Sequence, residues 1–343
     1  MKILAPVNSV KEAKILSKLG AEELYCGLSE RAWRKSHGQD FWISRRGPGN
    51  ANVESLKELH KLVVVAHKAG SQVFLTLNQP GYAPELYEDI LTTVRQAQEY
   101  CGVDAFIVAD PGLIRFLKEG LPDLVIHVSS LAAVLNSATV SFFSQMGVKR
   151  IIFPRYVELE TMRSIIDQGG DQIEYEAFML NDGCVFEEGY CHVSHAFGGA
   201  FCHSPPWDYK PIKIQGTERD DEHLPGEGVL RVGKETFQEH LDEYRRWIYI
   251  GIHNAGGRLG PRGYPLGMCG LCALNQLKEV GVMSLKIVGR EAPLKKKIAS
   301  VKLVKEMLDY MEAGHSQEDV RAQAKLIKGV TDLCESGYMC YYR

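Results

Sequence analysis

The sequence predicts an α/β protein built as a (β/α)8 barrel of the TIM type, and three observations support this fold class. Short, β-branched apolar runs of strand length alternate with amphipathic segments of helical length along most of the 343 residues. Eight such runs occur, which is the number that a closed parallel barrel requires. No glycine-rich phosphate-binding loop follows the first run, because Ala5-Pro6-Val7-Asn8-Ser9 contains no glycine, and this disfavours a doubly wound open sheet.

Each predicted strand has the composition of a strand that is covered on both faces. The predicted strands cover residues 3–7, 23–27, 72–78, 105–109, 125–129, 150–154, 173–179 and 284–288. The predicted helices cover residues 10–19, 53–69, 84–101, 112–119, 137–146, 159–168, 272–280, 293–313 and 317–328. Ser9 and Asn52 occupy expected N-cap positions, and Gly20, Gly70 and Gly147 occupy expected C-cap positions.

Two connections are much longer than a barrel needs. Residues 28–52 follow the second strand and are rich in Arg, Trp and Gly, and residues 180–271 follow the seventh strand. Long connections at the carboxyl ends of barrel strands usually carry function. We therefore predict a barrel domain at 1–313 that includes a cysteine-bearing insertion at 180–271, followed by a C-terminal helix and tail at 314–343.

The composition is that of an ordinary globular protein, with a net charge of -3 and a pI near 6.4. This balance gives no reason to expect nucleic-acid binding, and the short basic run 295–297 is interpreted as a solvated helix face. No signal peptide and no bilayer-length apolar run are recognisable, so we expect a cytoplasmic protein without membrane contact. Nine cysteines in a reducing compartment indicate thiols or metal ligands rather than disulfides.

Polar residues at the carboxyl ends of the predicted strands are candidates for the active site, because these ends meet at one mouth of the barrel. The predicted catalytic residues are Asp110, Arg155 and Glu176, and the predicted substrate-binding residues are Asn78, Ser129 and Arg45. Arg155 is suited to a carboxylate or phosphate, and the two acids are suited to proton transfer. The structural alternatives are a capping role for Asp110 and an ion pair between Arg155 and Glu176.

Five cysteines converge on the same mouth. Cys184 and Cys191 follow the seventh strand, Cys202 lies further along the insertion, and Cys269 and Cys272 precede the helix that leads to the eighth strand. Four thiolates of this kind suit an iron–sulfur cluster. Zinc is the alternative, since Cys269-Gly270-Leu271-Cys272 has zinc-knuckle spacing, and unligated thiols remain open. The other cysteines are interpreted as isolated and structural.

Short motifs in a fixed order give the chain a resemblance to a known family. They are Ala5-Pro6, Gly20-Ala21-Glu22-Glu23-Leu24-Tyr25-Cys26-Gly27, Val108-Ala109-Asp110-Pro111-Gly112, His127-Val128-Ser129-Ser130 and Ser284-Leu285-Lys286-Ile287-Val288-Gly289-Arg290. With these motifs the chain resembles peptidase family U32, the collagenase-like peptidases of unknown type, from the first strand to about residue 290. It departs from the family pattern at Arg155-Tyr156 and at Asn181-Asp182-Gly183, which suggests a divergent member.

The resemblance implies a [4Fe–4S] cluster held by Cys184, Cys191, Cys202 and Cys272, with Cys269 a bystander or a substitute ligand. It also implies oxygen-independent hydroxylation of a small aromatic or carboxylate substrate or of a nucleobase, with prephenate as oxygen donor in some relatives. A peptidase and a non-catalytic iron–sulfur assembly partner are the alternatives. The expected partners are a small-molecule substrate and either a homologous protein or a second copy of the chain.

Overall fold

The structure is a computed structural model that describes most of the chain outside the long insertion. The described residues are 1–30, 33, 35–36, 43–46, 51–169, 172–181, 183, 188, 238–239, 242, 259–330, 334–337 and 339–342. No helix in these ranges is both long and apolar enough to cross a lipid bilayer.

Eight parallel strands close into a barrel, which confirms the predicted fold class. The barrel strands are β1 (Lys2–Pro6), β2 (Glu23–Leu28), β4 (Gln72–Leu77), β5 (Ala105–Val108), β6 (Ile126–Val128), β7 (Arg150–Ile152), β8 (Glu174–Asn181) and β10 (Ser284–Ile287). The barrel closes because β1 pairs in parallel with both β2 and β10. All eight predicted strands are therefore present, with ends that differ by one or two residues.

Two short strands extend the sheet at the carboxyl end of the barrel. The first, β3 (Asn52–Val53), pairs in parallel with the last residues of β2. The second, β9 (Met268–Cys269), pairs antiparallel with the last residues of β8, so that Cys269 lies opposite Leu180. The chain that enters the insertion and the chain that leaves it are therefore neighbours at the same rim.

Helices surround the barrel in the positions that the sequence predicts. They are α1 (Val10–Lys18), α2 (Leu56–Lys68), α3 (Tyr87–Gln96), α4 (Pro111–Gly120), α5 (Ser137–Gln145), α6 (Leu159–Gly169), α7 (Leu274–Glu279), α8 (Leu294–Glu312) and α9 (Gln317–Lys328). Single helical turns lie at Pro84–Leu86, Ala97–Cys101, Ser130–Ala132 and Leu271–Ala273. The hydroxyl of Ser9 accepts a hydrogen bond from the amide of Glu12 and caps α1 as predicted.

One predicted helix start is wrong. Helix α2 begins at Leu56 with Ser55 as its N-cap, whereas Asn52 lies in β3. The Asn52 side chain donates to the carbonyl of Arg46 at 3.0 Å and accepts from the guanidinium of Arg290 at 3.2 Å. Because Arg290 is distant in sequence, a local capping pattern could not reveal this competing role.

The side chains that point into the barrel divide into a polar layer and an apolar layer. On β10, Ser284 and Lys286 face inward while Leu285 and Ile287 pack against the helices. The apolar layer consists of Leu4, Tyr25, Phe74, Ala105, Ile107, Ile152, Phe178, Met268, Val288 and Tyr341. Tyr341 comes from the C-terminal tail, so the tail takes part in filling the barrel. The division of the chain into a barrel domain at 1–313 and a C-terminal helix and tail at 314–343 stays a prediction.

Candidate active site

The mouth of the barrel contains a cavity of about 340 Å³ whose described walls are strongly cationic. Six basic residues and two acidic residues line it: Arg45, Arg46, Arg155, Lys286, Arg290 and Lys296, with Glu188 and Glu291. Tyr25 and Phe178 contribute aromatic surface. Such a cavity is suited to an anionic ligand that also carries a flat apolar part.

Arg155 is held in the cavity wall by Glu188. The guanidinium forms an ion pair with the Glu188 carboxylate, and the backbone amide of Arg155 donates to Glu188 Oε2 at 2.8 Å. Ser130 Oγ donates to Glu188 Oε1 at 2.8 Å. The guanidinium carbon of Arg155 lies 3.8 Å from the centre of the Phe178 ring, so the guanidinium group also packs against this ring.

Arg290 is buried and is bound by neutral oxygens. Its NH1 group donates to Ser44 Oγ at 2.9 Å, to Thr76 Oγ1 at 2.9 Å and to Asn52 Oδ1 at 3.2 Å. Burial lowers the pKa of Arg290 to about 10, since these oxygens carry no full negative charge. The residue is still protonated at neutral pH and places a positive charge in the cavity wall.

The close packing around Arg290 depends on Gly27 in β2. A Cβ atom at this position would lie 2.0 Å from Asn52 Oδ1 and 2.4 Å from NH1 of Arg290. Neither distance is possible between real atoms, so only glycine allows the strand to pass beside this guanidinium.

A chain of ion pairs runs from the cavity floor into the barrel. Lys286 Nζ donates to Glu176 Oε1 at 2.7 Å, and NH1 of Arg150 donates to Glu176 Oε2 at 3.1 Å. Arg150 also donates to Glu23 Oε1 at 2.7 Å. Burial lowers the pKa of Lys286, although the charge of Glu176 opposes this effect. Lys286 is thus the member of the chain that meets the cavity.

The predicted substrate-binding residues lie together in the cavity wall. Asn78, Ser129 and Arg45 all line it, as does the predicted catalytic residue Arg155, and Asn78 Oδ1 accepts from the backbone amide of Arg45 at 3.2 Å. Glu176 lies beneath the cavity and reaches it through Lys286. It pairs with Lys286 and Arg150, whereas the pairing partner of Arg155 is Glu188. The roles assigned to these residues stay predictions.

Asp110 occupies a different environment from the other predicted residues. Its Oδ1 accepts from the amides of Gly112 and Leu113 and caps α4, which is the structural alternative considered above. Its Oδ2 accepts from the amide of Tyr82 at 3.0 Å and from the hydroxyl of Tyr87 at 3.1 Å. Asp110 is not among the residues that line the cavity. Its catalytic role is an untested prediction with no geometric support.

The interpretation of the basic run 295–297 as a solvated helix face is wrong for two of its residues. Lys296 and Lys297 are 2% and 1% exposed. Lys297 Nζ pairs with Glu12 at 2.7 Å, and Lys296 lines the cavity. Helix α8 turns this edge toward β1 and the barrel mouth, an orientation that a count of charges does not reveal.

The sequence also missed several residues of the cavity. Arg290 and Lys286 lie in the closing motif Ser284–Arg290, but sequence reasoning used that motif only for the resemblance. Lys286 is a charged residue within a short strand whose four residues are all buried, which is a signal that could have identified it. Glu188 lies inside the insertion and has no comparable signal.

Of the predicted cluster ligands, only Cys272 belongs to the described part of the chain. Cys184, Cys191 and Cys202 lie outside the described residues, so this ligand set stays a prediction. Burial raises the pKa of Cys272 to about 12, and the neighbouring thiols of Cys269, Cys340 and Cys334 add to the effect. Cys334 and Cys340, interpreted from the sequence as isolated, are therefore neighbours of the Cys269–Cys272 pair.

The fold and the cavity define the class of protein: a (β/α)8 barrel with a cationic binding site at the carboxyl ends of its strands. The sequence profile described as "Peptidase family U32" matches residues 8–343. The chain belongs to this family, as the resemblance predicted.

Curated relatives carry several different names. "tRNA hydroxylation protein P" of Escherichia coli is 27% identical over 225 residues, covering 64% of this chain and 45% of its own length. "23S rRNA 5-hydroxycytidine C2501 synthase" of the same organism is 32% identical over 170 residues, covering 48% of this chain and 24% of its own length. "Uncharacterized protease MJ0090" of Methanocaldococcus jannaschii is 29% identical over 204 residues, covering 58% of this chain and 45% of its own length. The chain thus spans less than half of the length of these relatives.

A solved structure titled "The Structure of the U32 Peptidase Mk0906" is similar to part of the chain. It is 17% identical with a TM-score of 0.42, and the similarity covers 52% of this chain and 68% of that one.

Proposed function

We propose that the chain is an RNA-modifying enzyme that hydroxylates a nucleobase in the cavity at the barrel mouth. The observation that carries this proposal is the local excess of positive charge, with six basic residues and two acidic ones around one cavity. The net charge of -3 gave no reason to expect nucleic acid, but the local charge at the mouth has the opposite sign. RNA phosphates bind to arginine and lysine side chains of this kind.

The size and the walls of the cavity suit a single base that has left its helix. Its volume of about 340 Å³ falls in the range typical of small-ligand pockets. Arg155 packs over the ring of Phe178 and Lys286 over the ring of Tyr25, so the flat guanidinium of Arg155 is the surface on which a base would stack. Enzymes that act on a nucleobase commonly extrude it into such a pocket and stack it between flat groups. The names of the curated tRNA and rRNA relatives agree with this substrate class.

The reaction needs an oxygen donor, and the cavity suits an anionic one. Replacing a ring C–H by C–OH takes two electrons from the base, so a donor R–OH that leaves as R–H balances the change. The resemblance implies a carboxylate of the prephenate type as this donor. Arg155 and Arg290 would bind its carboxylates, and Lys286, supported by Glu176, would hold or release a proton at the cavity floor.

A [4Fe–4S] cluster held by Cys184, Cys191, Cys202 and Cys272 is part of this proposal, and this ligand set rests on the resemblance, with zinc as the alternative metal. Such a cluster supplies electrons one at a time. Of these four ligands only Cys272 belongs to the described residues, where it lines a small cavity together with Cys269, Cys334 and Cys340.

The peptidase alternative finds no support in the described cavity wall. A serine nucleophile needs a general base beside it, and no histidine is among the described residues that line the cavity. Ser130 Oγ donates to Glu188, and Ser129 Oγ accepts from the amide of Leu131 at 3.3 Å. Both hydroxyls therefore have structural partners.

Expression in a bacterium that lacks its own U32 genes tests the proposed function. Nucleosides from its tRNA and rRNA are analysed by mass spectrometry, with and without the chain, under anaerobic growth. We expect one nucleoside to gain the mass of an oxygen atom with the wild-type chain and with Arg115→Ala, a change in an exposed ion pair. Arg155→Ala and Arg290→Ala should abolish the product. Unmodified RNA together with cleavage of a collagen-type peptide would overturn the proposal in favour of a peptidase.

A further inference from the structure

The arginines of the mouth cavity do not all have the same kind of partner. Arg155 pairs with Glu188, whereas Arg290 donates only to neutral oxygens. We propose that Arg290, Arg45 and Arg46 form a subsite for an oxyanion group, a phosphate or a carboxylate. This inference deepens the proposed function and rests on it for the source of that group, since RNA would supply a phosphate and the oxygen donor a carboxylate.

Arg290 carries a buried charge that has no counter-ion among the described residues. The residue is 7% exposed and forms no ion pair within the described ranges. Its three hydrogen bonds all use NH1, so no described group binds NH2 or Nε. Taking a charge out of water without a partner of opposite sign is costly. An anion in the cavity would supply the missing charge and accept from the rest of the guanidinium fork.

Arg45 and Arg46 bring two further positive charges to the same wall. Both residues line the cavity together with Arg290. Burial is the main reason why the pKa of Arg290 is lowered to about 10, and the charges of Arg46 and Arg45 lower it further. These two charges are therefore close enough to repel that of Arg290. A bound anion replaces this repulsion with attraction, so the place where the three groups converge is the one that favours an anion most.

The segment 43–46, which carries two of the three arginines, is held in place through its backbone. Each of its residues has a backbone group that is bound by a side chain: Ile43 by Tyr82, Ser44 by Gln79, Arg45 by Asn78 and Arg46 by Asn52. Tyr82 is itself held, since its amide donates to Asp110 Oδ2 at 3.0 Å. These bonds do not need a ligand. The subsite is therefore formed in advance, which lowers the entropic cost of binding.

The other cations of the cavity are neutralised by nearby acids. Arg155 pairs with Glu188, and Lys286 pairs with Glu176 at 2.7 Å. Glu291, the second acidic residue in the described wall, is exposed to solvent, which screens its charge. The excess positive charge of the described wall is therefore concentrated at the three arginines and not at the Arg155 end.

The start of helix α8 adds to the positive potential on this side. The helix begins at Leu294, directly after residues 289–292, which line the cavity. No described side chain caps its first turn, and that turn contains no acidic residue. The amino end of a helix carries a partial positive charge and favours anions. It thus acts in the same direction as the arginines.

Isothermal titration calorimetry of the full chain tests the proposal with two probes, sodium phosphate and sodium malonate, at an ionic strength held constant with sodium chloride. The proteins are the wild type, Arg46→Gln, Arg290→Gln and the control Arg115→Gln, which removes a charge from an exposed ion pair. We expect each cavity variant to bind the preferred anion about tenfold more weakly, because a charge-assisted hydrogen bond is lost. The control should bind as the wild type does. Preference for phosphate would identify RNA as the source of the group, and preference for malonate would identify the oxygen donor.

Arg46→Gln decides the matter if circular dichroism shows that Arg290→Gln does not fold. The described hydrogen bonds of Arg46 are made by its backbone, so the substitution leaves them intact. Equal affinity of the wild type and Arg46→Gln, or no binding of either anion to the wild type, would overturn the proposal. The titration does not require catalysis. A chain that binds an anion through Arg46 but modifies no RNA would retain this subsite and lose the proposed function.

Discussion

Arg155 and Glu188 form an ion pair in the wall of the mouth cavity, and the two residues belong to segments that the sequence did not connect. Arg155 follows β7 and Glu188 lies in the long insertion, and their side chains are 13% and 1% exposed. Four contacts end on Glu188: the guanidinium and the amide of Arg155, the hydroxyl of Ser130, and the hydroxyl of Tyr156 on its carbonyl. These contacts therefore hold Glu188 against the barrel.

We expect Arg155→Ala to destabilise the protein as well as to remove activity. The substitution leaves the Glu188 carboxylate buried without its cation, and breaking a buried ion pair in this way costs about 3 kcal/mol. Urea denaturation measures the free energy of unfolding. Arg115→Ala breaks the exposed pair with Glu119 and should leave that free energy unchanged within error. Equal stability of both variants would show that Glu188 does not depend on Arg155.

We expect Gly27→Ala to disrupt the contacts of Arg290. The new methyl group would overlap Asn52 Oδ1 and NH1 of Arg290, so the guanidinium or strand β3 must move. The free energy of unfolding should fall by at least about 2 kcal/mol. The side chains packed around Arg290 can make room for the methyl group only by breaking hydrogen bonds. Thermal unfolding and RNA modification measure the effect. The control is Gly81→Ala, where a Cβ would meet nothing within 4 Å, and it should behave as the wild type.

The barrel could be predicted from sequence because its signal is local. Eight apolar runs and the helices between them each have a pattern that a short window reveals, and every one of them is present. The predicted start of α2 was wrong because the Asn52 side chain binds Arg290, 238 residues away in sequence, and does not cap the helix. Lys296 and Lys297 were misinterpreted for a similar reason, since their burial depends on how α8 packs against Glu12 and the mouth.

The candidate site was predicted in part. Strand ends located Asn78, Ser129 and Arg155 in one cavity wall, because parallel strands bring their carboxyl ends together. Asp110 also lies at the end of a strand, yet its carboxylate accepts hydrogen bonds from the first turn of α4, from Tyr82 and from Tyr87, and it does not line the cavity. The approach of Cys334 and Cys340 to Cys269 could not be predicted, because it depends on a β-bridge between the tail and the rim.

We expect His127 to make the stability of the protein sensitive to mild acid. His127 is buried beside Phe74, and burial lowers its pKa well below the ordinary value of about 6.5, with the charges of Arg150 and Lys286 adding to the effect. The unfolded chain therefore binds a proton that the folded chain does not. His127 therefore leaves the free energy of unfolding unchanged above about pH 6.5. Below that pH the free energy of unfolding decreases, with a slope that approaches about 1.4 kcal/mol per pH unit.

Urea denaturation at several pH values between about 7 and 5 checks this expectation. His127→Gln should unfold with a smaller pH slope than the wild type over this interval. The comparison of slopes is informative even if the variant is less stable at every pH, because a constant loss does not change the slope. Identical slopes would show that His127 takes up its proton in the folded state as readily as in the unfolded state.

We expect the side chain of Tyr341 to contribute strongly to the stability of the barrel. Its side chain is 7% exposed and belongs to the apolar layer inside the barrel, with its ring centre 6.0 Å from that of Phe178. Tyr341→Ala should cost about 3 kcal/mol, the usual effect of removing a buried aromatic ring, as measured by urea denaturation. Tyr100→Ala, at a position that is 55% exposed, should cost much less. If the two variants lose equal stability, the ring of Tyr341 does not pack into the barrel in solution.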